Sequence, residues 1–405
     1  MSKTVHSRGF VLALIALLAL AVFSAAPVTA QAPRSGGAPL IAANDNAIRD
    51  HYIVVLRDGA DPRAVAAVVQ AQPRFVYAAA LTGFAAQLNA GQLTALQHNR
   101  NVAYIEQDQV VSIDTTITAA TMQEGATWGL DRIDQRALPL SGTYSYNNSG
   151  AGVTAYIIDT GIDFSHTEFG IRAIPGFDAF TDGQNGNDCN GHGTHVAGTV
   201  GGTTYGVAKG VTLVAVRVLD CGGSGSWSGV VAGVDWVVAH HAAGSPAVSN
   251  MSLGGGVSST VDAAVDRMIT DGVASAVAAG NGNQAGIAQD ACRYSPARVA
   301  RAMTIGATTR TDAKTSWSNY GKCVDWFAPG AGITSAWIGG GNAEKNTISG
   351  TSMATPHTAG VAALYLQSNS SATPQQVRDA LYAATTQRIV TSSKTANNHL
   401  LFTSY

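Results

Sequence analysis

From Gly152 onward, short apolar runs alternate with stretches of helical character, and this alternation limits the possible folds more than any other feature of the chain. The runs are Val153 to Ile158, Thr212 to Leu219, Ala247 to Met251, Val273 to Ala278 and Met303 to Ala307, with helix-like segments such as Ser228 to His240 and Thr260 to Asp271 between them. Strands covered on both faces read as unbroken apolar runs, and the crossovers between parallel strands are usually helices. The expectation is an α/β domain with a mostly parallel sheet flanked by helices. In such sheets the functional groups collect at the carboxyl ends of strands. Polar groups stand at several of those ends: Asp159, Ser249-Asn250 with Ser252, and Asn281.

The 405 residues exceed one average domain, and a smaller unit precedes this sheet. His51 to Leu56 reads as a strand and Asp61 to Gln72 as a helix with Val65, Val68 and Val69 on one side. Phe75 to Tyr77 and Gly83 to Leu88 follow as strands, Ala90 to Asn99 as a helix and Val102 to Glu106 as a last strand. That β-α-β-β-α-β order is the ferredoxin-like arrangement. A loose Ala-, Pro- and Gly-rich stretch, Gln31 to Asn46, leads into it. A Thr- and Ala-rich linker, Asp114 to Gly125, leads out, carries no helix or strand signal, and is where proteolytic cutting is expected.

Lys3, His6 and Arg8 precede an apolar stretch from Phe10 to Phe23, and Val28-Thr29-Ala30 offers small residues for cleavage. This is the pattern of an export signal; about 14 apolar residues are too few to span a bilayer comfortably. No later stretch is long and apolar enough, so the mature protein is expected to be soluble, secreted and without a membrane anchor. Outside the cytoplasm cysteines can pair, and Cys189, Cys221, Cys292 and Cys323 allow three pairings. The absence of a C-x-x-C pair argues against zinc. A net charge of −2 with no basic run excludes nucleic acid as a partner.

The stretch Gly350-Thr351-Ser352-Met353-Ala354-Thr355-Pro356 opens a run that reads as a tightly packed helix, Ala359 to Leu364. Pro356 is expected near the helix start, where a missing N–H leaves no intrahelical bond unmade. Ser352 then lies at the first turn, either as an N-cap or as a nucleophile whose oxyanion the helix terminus favours. Asp159, followed by Thr160-Gly161, is a cap, an ion-pair partner or the orienter of a histidine. His192 and His195 lie in Asn190-Gly191-His192-Gly193-Thr194-His195, where the small glycines leave room to approach the imidazole. Zinc is disfavoured there, since the Glu of H-E-x-x-H is missing; His195 reads as a structural histidine and His240-His241 as surface. Gly222-Gly223-Ser224-Gly225 is a weak dinucleotide signal without its third glycine or acid. Asn281 is a turn residue or an amide donor for an oxyanion. The chain order Asp, His, Ser is that of subtilisin, one of the worked examples of triad order, and G-T-S-M-A is not the G-x-S-x-G of an α/β-hydrolase.

Asp159-Thr160-Gly161, His192 to Gly198 and Gly350 to His357 resemble the signature motifs of the subtilisin superfamily. Asn250 to Gly255 and Ser316 to Gly321 are similar to its proteinase K branch, especially the aqualysin-like enzymes. The match runs from Trp128 to Tyr405, and the unit from His51 to about Ile113 resembles the family's inhibitory propeptide. The resemblance implies a subtilisin-like α/β fold after a small ferredoxin-like α+β propeptide domain, with residues 1–30 as signal, 31–120 as propeptide and 121–405 as peptidase. It implies a monomeric serine endopeptidase acting on proteins and peptides, made as a self-processing precursor whose propeptide is both chaperone and inhibitor.

By the same resemblance Ser352 is the nucleophile, His192 the base, Asp159 its orienter and Asn281 the oxyanion donor. Substrate would lie between Ser224-Gly225 and Ser252-Leu253-Gly254, with Ser252, Leu253, Gly254, Ala278, Ala279 and Gly280 walling an uncharged pocket. Trp227 would stand near a more distant subsite. Calcium would be structural, at Asp131, Asp134 and Gln135 with Ser141, and at Asp325 with carbonyls near Ala300 and Ala302; no catalytic cofactor is implied. The cysteines would pair Cys189–Cys221 and Cys292–Cys323. A catalytically silent binding protein on the same scaffold is the alternative, and it would not need these positions filled.

Overall fold

The computed structural model describes residues 37–43, 47–112, 116–117 and 125–405; the expected export signal lies outside them. In the larger domain the apolar runs lie side by side in one sheet. Its order is Trp326–Pro329, Met303–Thr308, Val273–Ala278, Ala247–Met251, Thr154–Asp159, Thr212–Arg217, Ala173–Asp178, and every neighbouring pair is parallel. Successive residues of a strand face opposite layers. Ala155, Ile157, Leu213 and Ala215 pack in one core with the helices His192–Gly201 and Thr351–Ser368. Tyr156, Ile158, Val214 and Val216 pack in another with Trp227–His240 and Ser259–Asp271. The chain builds one edge from Thr154–Asp159 and then crosses to build the other. Asp159 therefore ends the strand at the topological switch point, where open α/β sheets bind their ligands.

Two strands of this sheet are not announced by an apolar run. Ala173–Asp178 contains Pro175 and Gly176, breakers that are tolerated because it is an edge. Trp326–Pro329 is short and forms the opposite edge. Thr351–Ser368 is buried at every position from Thr351 to Leu364, as a helix apolar on all sides must be. The placing of Pro356 needs correction. It lies inside the helix rather than in the first turn, so its missing N–H leaves the Ser352 carbonyl without an intrahelical donor. The Ser252 hydroxyl supplies that bond at 2.8 Å.

In the smaller unit Val102–Ser112, Ala47–Leu56, Gly83–Gln87 and Pro73–Tyr77 form an antiparallel sheet in that order, the ferredoxin-like arrangement. Asp61 caps Pro62–Val68 through the N–H groups of Arg63 and Ala64, and Asn89 with Gln92 forms a capping box on Ala90–Gln97. The first helix stops before the expected Gln72, with Gln70 at φ 52°. The stretch read as loose contributes Leu40–Ile41, paired parallel to Ile105 and Glu106.

The last strand runs on to Ser112 because its second half finds a partner in the larger domain. Val110, Val111 and Ser112 pair antiparallel with Ser226, Gly225 and Ser224. In the linker, Thr116–Ile117 pairs antiparallel with Ser349 and Ile348. Two carboxylates of the same strand enter helix starts of the larger domain. Glu106 accepts from the hydroxyls of Ser258, Ser259 and Thr260 and from the Thr260 N–H; Asp108 accepts from the Ser228 N–H and hydroxyl. Both are buried, and the free N–H groups of a helix start are suited to such acceptors. In return Asp235 accepts from the N–H groups of Ala78, Ala79 and Ala80.

Of the two histidines read as surface, His240 is exposed as expected and His241 is buried. His240 stacks on Trp236 with ring centroids 4.4 Å apart and bonds the Tyr156 hydroxyl. His241 is buried between Asp271 and the Ser245 carbonyl. The structure links Cys189 to Cys221 and Cys292 to Cys323, at sequence separations of 32 and 31. On the chain-entropy model each such link stabilises by roughly 3–4 kcal/mol. Peptide mapping without reduction is expected to give only fragments joined in these pairs; a fragment joining Cys221 to Cys292 would overturn the assignment.

Candidate active site

The strand end at Asp159 and the helix start at His192 meet through one hydrogen bond, from His192 Nδ1 to Asp159 Oδ1 at 2.8 Å. Both side chains are wholly buried. The Nδ1 bond to the carboxylate leaves Nε2 as the other ring nitrogen, buried and without a hydrogen-bond partner among the described residues. The glycines beside His192 do not leave room for a ligand. A Cβ on Gly193 would lie 2.1 Å from the Gly161 carbonyl, and Gly191, at φ +107°, lies against the Trp337 ring. They allow the helix start to sit on the Thr160-Gly161 turn. His195, one turn on, bonds the Ile333 carbonyl at 3.0 Å, and burial lowers its pKa to about 3. It is a neutral structural group, and the pair does not converge on a metal.

Sequence reasoning missed Asp188. Its carboxylate accepts from the Thr160 hydroxyl, the N–H groups of Asn190, Gly191 and Thr194, and the Thr194 hydroxyl. It thus ties the Asp159 strand end to the helix that carries His192. Burial pushes this carboxyl up, and the listening donors pull it back toward the charged form. Its only sequence signal is an acid four residues before His192, which is not enough to identify it.

Ser352 is the second residue of its helix, where backbone N–H groups lack intrahelical partners. Its hydroxyl donates to the Ser252 carbonyl at 3.1 Å, and the Ser252 hydroxyl donates back to the Ser352 carbonyl. Ser252 is therefore a buried support beneath the serine, not the pocket wall expected from sequence. Asn281 accepts from the N–H and hydroxyl of Thr351, both at 2.8 Å. Fixing the carbonyl oxygen fixes which way the amide nitrogen of Asn281 points.

Ser224–Ser226 is the open edge on one side of Ser352, and the smaller unit's strand already occupies it. A cavity of about 1060 Å³ reaches from Ser352 past Leu253, Gly254, Ala278, Ala279 and Gly280. Gly280, at φ +95°, has no space for a Cβ, which would meet the Asn319 amide at 2.6 Å. Trp227, expected near a more distant subsite, lies beneath the strand that occupies this edge. It is fully buried, in the cluster that also takes in Val111 of the occupying strand.

The two groups proposed for calcium differ. Asp131 accepts from Ser141 and Gly142, and the Gln135 amide oxygen accepts from Ser141. Asp134 keeps one oxygen, Oδ1, buried without a partner among the described residues. Burial raises its pKa, and the nearby Asp131 charge raises it further. Oxygen donors around an unsatisfied carboxylate suit a hard cation. Asp325 does not. Arg378 ion-pairs with one of its oxygens and the Thr304 N–H bonds the other, so an internal cation already holds it and the second site is withdrawn.

The profile of the subtilase family matches residues 150–402, and that of the peptidase inhibitor I9 family matches residues 51–114. The chain is 50% identical over 388 residues to an alkaline serine exoprotease A of Vibrio alginolyticus, covering 92% of this chain and 71% of that protein. It is 50% identical over 416 residues to an extracellular serine proteinase of Thermus sp. (strain Rt41A), covering 96% and 98%. The crystal structure of a cold adapted subtilisin-like serine proteinase aligns with TM-score 0.65 and 53% identity, over 69% of this chain and 98% of that one.

Replacing Asp188 by Ala would leave several buried donors unpaired, each costing about 1–3 kcal/mol. Urea unfolding of Asp188→Ala, made in a Ser352→Ala background to prevent self-digestion, is expected to show a loss of about 3 kcal/mol or more. A loss under about 1 kcal/mol would show that the carboxylate does not hold the helix start.

Proposed function

Because the chain belongs to the subtilase family of serine endopeptidases, in its proteinase K branch, we propose that Ser352, His192, Asp159 and Asn281 carry out the peptide-bond hydrolysis. The bond from His192 to Asp159, with Nε2 left unpartnered, is the observation that carries this reading. Ser352 Oγ attacks the carbonyl carbon and passes its proton to Nε2. Asp159 holds the tautomer and stabilises the imidazolium. The Asn281 amide and the Ser352 N–H take the charge on the tetrahedral oxygen; a donor of this kind is worth about 3–4 kcal/mol. His192 then gives the proton to the leaving amine, and water repeats the sequence on the acyl-enzyme. Proton and acyl transfer need only these side chains, so no cofactor enters the steps.

The I9 domain is the enzyme's own inhibitor, and proteins are its substrates. We place the signal at residues 1–30, the propeptide at 31–120 and the peptidase at 121–405, in a monomer exported without an anchor. Relatives named as extracellular proteinase or exoprotease support export, and no helix among the described residues is long and apolar enough to cross a membrane. Pairing of Val110 to Ser112 with Ser224–Ser226 models the way a substrate strand adds to that edge. The pairing of Val110 to Ser112 with Ser224–Ser226, and of Thr116–Ile117 with Ile348–Ser349, brings the chain on to the larger domain beside the proposed self-cut between Asp114 and Gln123. The caps made by Glu106 and Asp108 support a chaperone role as well as inhibition. Leu253, Gly254 and Ala278 to Gly280 favour apolar or aromatic residues before the scissile bond, with broad tolerance beyond.

Calcium bound by Asp131, Asp134, Gln135 and Ser141 would supply counter-charge and stiffen the loop. Asp134 has a raised folded pKa, so its protonated form favours folding and that contribution is lost as pH rises through the folded value. A bound cation offsets the loss by mass action. At neutral pH Asp134→Asn is expected to match or exceed the parent's thermal midpoint in chelator yet to gain less on adding calcium. An equal calcium gain in both proteins would remove this site.

The purified enzyme is expected to hydrolyse casein and peptides with an apolar residue before the cut, and a serine-directed phosphonyl or sulfonyl reagent to abolish it. The Ser352→Ala precursor should remain full length after export. Its normal maturation in a host lacking other proteases would overturn self-processing, and reagent-resistant hydrolysis would overturn Ser352 as nucleophile.

A further inference from the structure

The cavity that starts at Ser352 does not end at the uncharged walls marked out by the sequence. Among the described residues that line it, Arg293 carries the only charge. Its position is set from both sides. Cys292 is joined to Cys323, with its N–H capped by Asp290. On the other side Tyr294–Ser295 pairs antiparallel with Gly255–Gly256, directly after the Leu253-Gly254 wall. The backbone at Arg293 is therefore anchored to the pocket wall itself.

Neighbouring arginines of this region are neutralised: Arg298 pairs with Asp262 and Arg301 with Asp266. Arg293 has no ion pair among the described residues, and its side chain is exposed. An arginine on the lining of a substrate cavity, with no carboxylate paired to it, is complementary to a carboxylate brought in by substrate. Being exposed, it costs little to keep charged in the empty enzyme, and the pair it makes is screened by water.

We propose that Arg293 gives this pocket a second specificity, for substrates whose residue before the scissile bond ends in a carboxylate, glutamate above all. The proposal rests on the reading above that this cavity takes that residue. Apolar side chains fill the walls between Leu253-Gly254 and Ala278 to Gly280. A glutamate lays its methylene groups along the same walls and presents its carboxylate to Arg293. Glutamine has the same shape without the charge, so the ratio of the two isolates the guanidinium from the walls.

The test uses enzyme matured from the full-length chain and peptides differing only at that residue: Glu, Gln, Leu, Lys and Met. In Arg293→Gln the Glu-to-Gln ratio of kcat/KM is expected to fall about 1.5- to fivefold, the range of an exposed pair, with Leu unchanged. Arg293→Lys should keep most of the ratio, and Arg293→Glu should lower it further while raising Lys over Met. High salt should shrink the parent's ratio toward that of Arg293→Gln. A Glu-to-Gln ratio equal in all four proteins, with Leu still cleaved, would overturn the role of Arg293 alone. Cleavage indifferent to the residue at this position, or no cleavage of any peptide, would overturn the pocket reading and this proposal with it.

Discussion

The hydrogen bond between His192 and Asp159 is the contact on which the rest of the structure depends. Burying a carboxylate and an imidazole together is costly unless each polar atom is held in place. The sheet provides the first part of that hold, by ending its central strand at Asp159. Asp188 provides the second, by drawing Thr160 and the first turn of the His192 helix into one set of bonds. The disulfide Cys189–Cys221 adds a third. It fastens the loop before His192 to the turn that leads into Ser224, so base and substrate edge move as one piece.

The smaller unit is held by the same kinds of contact that serve the reaction. Its strand adds to the Ser224–Ser226 edge by main-chain bonds, which depend little on side chains. Its affinity for this one enzyme comes from elsewhere: Glu106 and Asp108 on two helix starts, and Asp235 reaching the other way. Burial pushes the Asp108 carboxyl up, against its bonds to Ser228. Edge pairing alone would not separate propeptide from substrate; the buried carboxylates do. They also lie at the starts of Trp227–His240 and Ser259–Asp271.

Much of this was legible because it repeats along the chain. Apolar runs and helical stretches give the sheet, and the polar residues at run ends, Asp159 and Asn281, give part of the site. What the sequence hid was made by partners distant in the chain. Val110 to Ser112 lie beyond the expected strand end at Glu106 and continue it only because Ser224–Ser226 is beside them, and Thr116–Ile117 reads as linker until Ile348–Ser349 is. Ala173–Asp178 carries breakers that only an edge permits. Asp325 has the composition of a calcium ligand, and only the fold brings Arg378 to it. Ser252 is expected as a pocket wall, and the fold buries it beneath Ser352.

Pro356 ties these levels together. Inside a helix a proline costs a hydrogen bond, and here the bond lost is the one to the Ser352 carbonyl. Ser252 makes it good and in turn receives the Ser352 hydroxyl on its own carbonyl, so the two serines hold each other. The defect in the helix thus fastens Ser352 to the segment that leads into the pocket wall, Leu253 and Gly254. In this precursor the Ser352 hydroxyl is turned to that carbonyl, while His192 Nε2 has no partner among the described residues. For the attack proposed above, the hydroxyl would turn from this carbonyl to Nε2, a change of side-chain rotamer between staggered wells. The packed helix keeps the serine in place for that rotation, with its neighbours already set for the oxyanion.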